Sequence, residues 1–156
     1  MKKVYLSGKM TGLTPRQIKR NFAKAEKFIM DKIDDEVYIM NPAVTYNMKK
    51  YEAFSYEDWL HIDYAMIDAC EAICLLDNWK DSIGAKREIA YAYKHGKYVC
   101  FPSPSGWQRD DELAEQITIE VEKRDTRAAL DNLIDSFVEA KAKASLEEEI
   151  GQIRSN

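Results

Sequence analysis

The chain has 156 residues, 46% hydrophobic and 32% charged, the length and balance of one globular domain rather than of a disordered segment. No run approaches the ~18 uncharged apolar residues of a membrane span, and the start MKKVYLSGKM lacks a signal peptide's apolar core, so a cytoplasmic protein without a membrane partner is expected. The net charge of −4 divides into +2 over residues 1–108 and −6 over 109–156, which argues against polymeric nucleic acid as a partner but leaves room for a small anion on the first segment.

In chain order, Lys3–Ser7 (KVYLS) reads as a first strand ending in the glycine-bounded loop Gly8–Gly12. Thr14-Pro15 opens a helix whose Ile18, Phe22, Ala25, Phe28 and Ile29 recur at helical spacing beneath a basic outer face. Val37–Met40 is a second strand closed by Asn41-Pro42, and residues 43–54 form an irregular aromatic loop of the length that lines sites. Ser55 caps the next helix, with Trp59, Ile62, Ala65, Met66 and Ala69 as its inner face. The apolar run Ala72–Leu76 is a strand buried on both sides. Gly84–His95 is a helix stopped by Gly96, and Tyr98–Phe101 a fourth strand ended by Pro102.

This β-α-β-α-β-α-β order implies an α/β, flavodoxin-like (Rossmann-like) parallel sheet of four to five strands, helices on both faces. Ile117–Val121 alternates as a fifth strand would, Ala128–Ala144 is helical, and Ser145–Glu148 resembles a capping box opening a last short helix. The expected organisation is an α/β domain over 1–124 with a C-terminal helical tail, 125–156, as an extension of it. Cys70, Cys74 and Cys100 are an odd set without metal-ligand spacing, and His61 and His95 each stand alone, so neither disulfides nor a metal or other cofactor is expected.

Ligands of such sheets bind beyond the carboxyl ends of the strands. Tyr5, Asp63 in the middle of the second helix, and the segment Asp81-Ser82-Ile83-Gly84-Ala85-Lys86-Arg87-Glu88 all fall near that edge. Ser82 and Gly84 would present a hydroxyl and helix N-terminal N–H groups to an anion, and Glu88 lies one turn beyond Gly84 on the same face. Two carboxylates about one sugar are the parts for glycoside cleavage, and Asp63 is the plausible second member. Taken singly, Glu88 and Asp63 read more readily as surface charges and Tyr5 as a packing aromatic; it is their joint placement at one sheet edge that points to a site.

Tyr5-Leu-Ser-Gly8-Lys-Met-Thr-Gly12, Asp63 and Ser82-x-Gly84-x-x-x-Glu88 together resemble the nucleoside 2-deoxyribosyltransferase-like superfamily, most closely its 2′-deoxynucleoside 5′-phosphate N-hydrolase branch, over roughly residues 3–106. The resemblance implies Glu88 as nucleophile on the anomeric carbon, Asp63 as proton donor to the departing base, and Tyr5 as the phenol that positions Glu88. It implies Gly8, Lys9, Met10 and Gly12 as the loop around base and sugar, with Asp81, Ser82 and Gly84 at the 5′ end, where serine favours a phosphate and an acidic residue a nucleoside. It also implies a homodimer or larger homo-oligomer. The expected reaction is release of a free base from a 2′-deoxynucleoside 5′-monophosphate; base exchange between nucleosides and nucleotide binding without turnover are the alternatives. Tyr46, Tyr51, Phe54 and Trp79 are candidates to stack on the base, and Ser103 and Ser105 to reach a phosphate.

Overall fold

A computed structural model describes residues 2–32, 36–47 and 53–154, the side chains of residues 46 and 47 excepted. Its elements are β1 (Lys2–Ser7), α1 (Pro15–Lys32), β2 (Val37–Met40), a 3-10 turn (Pro42–Asn47), α2 (Tyr56–Asp68), β3 (Ala72–Leu75), a second 3-10 turn (Trp79–Asp81), α3 (Ile83–Lys94), β4 (Tyr98–Ser103), β5 (Gly106–Arg109) and α4 (Asp111–Arg154). The sheet order is β2-β1-β3-β4-β5, with parallel pairing from β2 through β4. This is an α/β Rossmann-like sheet, and its order reverses between β1 and β3, where such folds place their ligands.

Local chemistry sets the helix starts. Thr14 accepts from the Gln17 N–H at 3.3 Å while Gln17 Oε1 accepts from the Thr14 N–H at 2.9 Å, a reciprocal cap with Pro15 at the first helical position. Ser55 and Asp58 form the same reciprocal cap on α2. Ser82 caps α3 by accepting from the Ala85 N–H at 3.1 Å. The far end of α3 stops at Gly96, whose φ of +69° suits a glycine.

Alternation along β1 sorts two cores. Val4 and Leu6 pack with Ile18, Phe22, Ala25 and Ile29 of α1, together with Cys74 and Leu76. Tyr5 faces the other way, into a layer with Ile67 of α2, Ile73 and Leu75 of β3, and Ile89 and Ala92 of α3.

Four expectations change. The fifth strand is Gly106–Arg109, antiparallel to β4, not Ile117–Val121. The latter segment lies in α4, where Ala114, Ile117, Thr118 and Val121 are buried at helical spacing; its two-residue alternation overlaps a 3.6-residue pattern, and burial selects the helix. Pro102 does not stop β4. It pairs with Trp107 of β5, past the last β3–β4 register pair at Cys74 and Cys100, where the sheet tolerates a proline. Ser145 opens no new helix, because α4 runs through it. On α2 the fully buried residues are Leu60 and Ile67; of the predicted face, Met66 packs half-buried against the same core, Trp59 and Ile62 are half-buried, and Ala65 and Ala69 are exposed. Asp63 and Tyr64, three and four residues after Leu60, therefore turn inward.

The chain forms two compact units, one ending at Val121 and the other beginning at Glu122. In the second, an Arg124–Asp125 ion pair of 3.2 Å lies near the start, and the apolar side chains of Leu130, Leu133, Ile134, Phe137 and Val138 are exposed. Among the described residues no helix is long and apolar enough to cross a membrane.

Candidate active site

Strand β1 carries Tyr5 and Ser7 on the same face, two residues apart, and both are fully buried. Across from them, one turn into α3, Glu88 is only 4% exposed. Tyr5 Oη donates to Glu88 Oε1 at 3.2 Å, and Ser7 Oγ donates to Glu88 Oε2. Each carboxylate oxygen thus has its own hydroxyl from the neighbouring strand, so the group cannot rotate without losing a bond.

The Asp63 side chain, from α2, lies near enough to Tyr5 and Glu88 for its charge to act on both. Burial pushes the Asp63 carboxyl up to about 6, against Tyr5 and Glu88, whose interactions favour its anion. Burial first, and the Asp63 charge second, hold Glu88 well above the usual carboxylate range. Two neighbouring, desolvated carboxyls do not both ionise near neutrality, so the pair retains one proton. Burial and the two carboxylates push the Tyr5 phenol well above its ordinary value, keeping it a hydrogen-bond donor. One carboxylate and one carboxylic acid, side by side and fixed by neutral hydroxyls, can act as nucleophile and proton donor.

Tyrosines stand beside this cluster, Tyr56 and Tyr64 both within reach of the Glu88 charge. A Cβ on Gly84 would lie 3.5 Å from Tyr56 Oη and 3.7 Å from Ser82 Oγ, ordinary contact distances. The Arg87 guanidinium lies 5.6 Å from the Tyr56 ring and pairs with Glu57 at 3.0 Å. Burial pushes the Tyr64 phenol up to about 12, and its ring stacks on Tyr91 at 3.9 Å.

Of the predicted site residues, Tyr5, Asp63 and Glu88 meet, and Ser82 and Gly84 stand at the N-terminus of the helix that carries Glu88. The Ser82 oxygen accepts from the Ala85 N–H, a cap that leaves the hydroxyl proton to donate elsewhere. Gly8 is a packing requirement: its Cβ would come within 2.8 Å of Leu76 Cβ. Gly12 has φ +80° and is exposed; the Lys9 N–H donates to Asn78 Oδ1 at 3.0 Å. Met10 packs against the α1-side core, away from Tyr5, and Asp81 is exposed on its 3-10 turn. Trp79 is no stacking platform, because it is 5% exposed and packs on Phe101 at 5.1 Å. Phe54 is half exposed beside Trp59 at 5.3 Å, and Ser105 is exposed. Tyr51 lies outside the described residues, as does the side chain of Tyr46.

Sequence reasoning missed Ser7, Tyr56, Tyr64 and Arg87. The signal for Ser7 was present: a serine two residues after Tyr5 on a strand shares its face. Two clefts, of about 340 and 480 Å³, open beyond β3 and β4, the first between α1 and β5 with Asn78, Ser103 and Trp107 in its wall. Neither touches Tyr5, Ser7, Asp63 or Glu88, and the buried carboxyl pair carries the chemistry these clefts lack. Among the described residues no three His, Cys, Asp or Glu side chains gather as a metal site.

Residues 2–101, which hold Tyr5, Ser7, Asp63, Ser82 and Glu88, match the family model described as Domain of unknown function (DUF4406), and the chain belongs to that family. No curated protein and no solved structure matches it.

Proposed function

We propose that this DUF4406 family member is an N-glycosidase that cleaves 2′-deoxynucleoside 5′-monophosphates into free base and 2-deoxyribose 5-phosphate. The observation that carries the reading is the buried constellation of Tyr5, Ser7, Asp63 and Glu88, drawn from β1, α2 and α3. In the first half-reaction the shared proton, which burial favours on Glu88, passes to Asp63. The freed Glu88 carboxylate attacks the anomeric carbon and the bond to the base breaks, its electron pair leaving with the base nitrogen. Asp63 gives that nitrogen the shared proton, and a glutamyl–sugar ester remains. Water then attacks the anomeric carbon, Asp63 takes a proton from it, and Glu88 departs as carboxylate. Tyr5 and Ser7 hold the nucleophile in one rotamer through both halves. The Ser82 hydroxyl and the first turn of α3 receive the 5′-phosphate, and Tyr56 and Tyr64 flank the ring system. Such a substrate places the protein in the cytoplasm.

The decisive experiment is chromatography of a panel of deoxy- and ribonucleoside monophosphates and nucleosides, each with and without a second free base. Liberated base from deoxynucleoside monophosphates is expected, with no release by Glu88→Gln. A new nucleoside in the second arm would instead mean base exchange, and an unchanged panel would end the enzyme reading. One observation favours a rival: Glu88 is 4% exposed and both its oxygens are satisfied, as in a structural carboxylate or a binding module. The rival expects Glu88→Gln to lower the melting temperature, whereas an active-site carboxyl held against desolvation expects it unchanged or raised.

A further inference from the structure

The second unit carries a helical surface outside the matched family segment. Between residues 123 and 148 its helix has two rows at seven-residue spacing: Lys123, Leu130, Phe137 and Ala144 in one, Arg127, Ile134, Lys141 and Glu148 in the other. The rows are offset by three or four residues and so form one stripe, the seam of a two-helix coiled coil. At its centre Leu130, Ile134 and Phe137 are 54%, 51% and 74% exposed, flanked by Leu133 at 65% and Val138 at 61%. An apolar face of this size, on a helix that buries no residue after Val121, calls for a partner helix.

From the order of charges along the stripe we infer that the partner is a second copy of this chain, its C-terminal helix running antiparallel to the first. Antiparallel seams pair one row with the other. Centring the pair between Ile134 and Phe137 sets Ile134 against Phe137 of the second copy, and Phe137 against its Ile134. The same register sets Leu130 on the Lys141 stem, Arg127 beside Ala144, and Lys123 on Glu148, each twice by symmetry. Parallel pairing would set each row on itself, placing Lys123 on Lys123, Arg127 on Arg127, Lys141 on Lys141 and Glu148 on Glu148. That alignment meets four like-charge layers where the antiparallel one meets opposite charges or none. A second copy answers Lys123 ahead of the apolar centre with its own Glu148 behind it, and gives the Lys141 and Arg127 stems apolar partners, which a partner of another sequence would have no reason to do. Leu146, Ile150 and Ile153 fall on the opposite side of the helix and take no part.

Light scattering on the full chain across micromolar concentrations, with analytical ultracentrifugation for the dissociation constant, tests the inference. A dimer is expected for the wild type, and a monomer for Ile134→Glu/Phe137→Glu with the α/β unit still folded by near-UV circular dichroism. Lys123→Glu alone should weaken the dimer about tenfold, because both symmetry-related pairs turn repulsive. Adding Glu148→Lys in the same chain should restore it. A monomeric wild type, or a dimer that survives Ile134→Glu/Phe137→Glu, overturns the interface. Restoration failing in Lys123→Glu/Glu148→Lys overturns the antiparallel register, since in parallel pairing neither swap compensates the other.

Discussion

The two faces of β1 lie one residue apart in the chain and do opposite work. On the α1 side Val4 and Leu6 meet Ile18, Phe22 and Ile29, an apolar layer with Phe22 fully enclosed. On the α2–α3 side Tyr5 and Ser7 meet Asp63 and Glu88, two carboxyls and two hydroxyls enclosed just as completely on the strand side. Burial on the first face contributes stability at roughly 25 cal/mol per Å² of apolar surface, whereas on the second it costs stability and is offset only by pairing every polar atom. The lesson is that one sheet separates a layer that holds the fold from a layer that stores chemical tension, and that substitutions on the two should part company in what they change.

The largest expected separation comes from Glu88→Gln. Base release should fall by about a thousandfold or more while the melting temperature stays or rises, read by initial rates beside thermal unfolding. On the opposite face Phe22→Ala should do the reverse. It should cost about 3–5 kcal/mol in urea unfolding, with the rate per folded molecule unchanged. If Phe22→Ala abolishes turnover of the folded fraction, the two layers are not independent.

Asp63→Asn sharpens the comparison through pH. A carboxyl whose folded pKa is raised, here to about 6 from 3.8, stabilises the fold fully below the unfolded value, and that contribution is lost as pH rises through the folded one. The stability of Asp63→Asn relative to wild type should therefore climb between about pH 4 and pH 6, by up to about 3 kcal/mol, and then level. Denaturation midpoints at several pH values decide it; a flat difference would mean the carboxyl is not desolvated. Turnover by the wild type should need the singly protonated pair, rising through about pH 6 as the first proton leaves and falling at the higher pH where the second does.

The smallest effect contrasts two glycines. Gly8→Ala meets Leu76 Cβ at 2.8 Å and should cost about 1–3 kcal/mol whether or not substrate is present. Gly84→Ala meets only ordinary contacts at 3.5 and 3.7 Å, so its stability should be near wild type while KM for a monophosphate rises severalfold. Equal KM for Gly84→Ala and wild type would remove the start of α3 from the phosphate site.

Much of this was legible before any coordinates. Pro15 after Thr14, Ser55 ahead of Asp58 and Gly96 after His95 mark helix ends through bonds that span at most four residues, and all three hold. β5 was not legible: Gly106–Arg109 has no strand-like alternation and exists because it can pair with Cys100–Ser103, while Trp107 Nε1 donates to the Leu75 carbonyl at 2.7 Å. Trp79 and Met10 read as ligand contacts and are packing, because their surroundings come from residues distant in sequence.

By itself the sequence determined the order of strands and helices through β4, the period-two split along β1 and the presence of two carboxylates after the second and third strands. These depend on backbone geometry and near neighbours. Only the tertiary structure decided that α2 turns Asp63 inward, that Ser7 joins Tyr5 on Glu88, and that the two carboxyls share a proton. Those facts rest on three elements, β1, α2 and α3, brought together from far apart in the chain, the Tyr5 and Ser7 bonds to Glu88 spanning 83 and 81 residues. They rest also on the exclusion of water that follows when these elements close over one point.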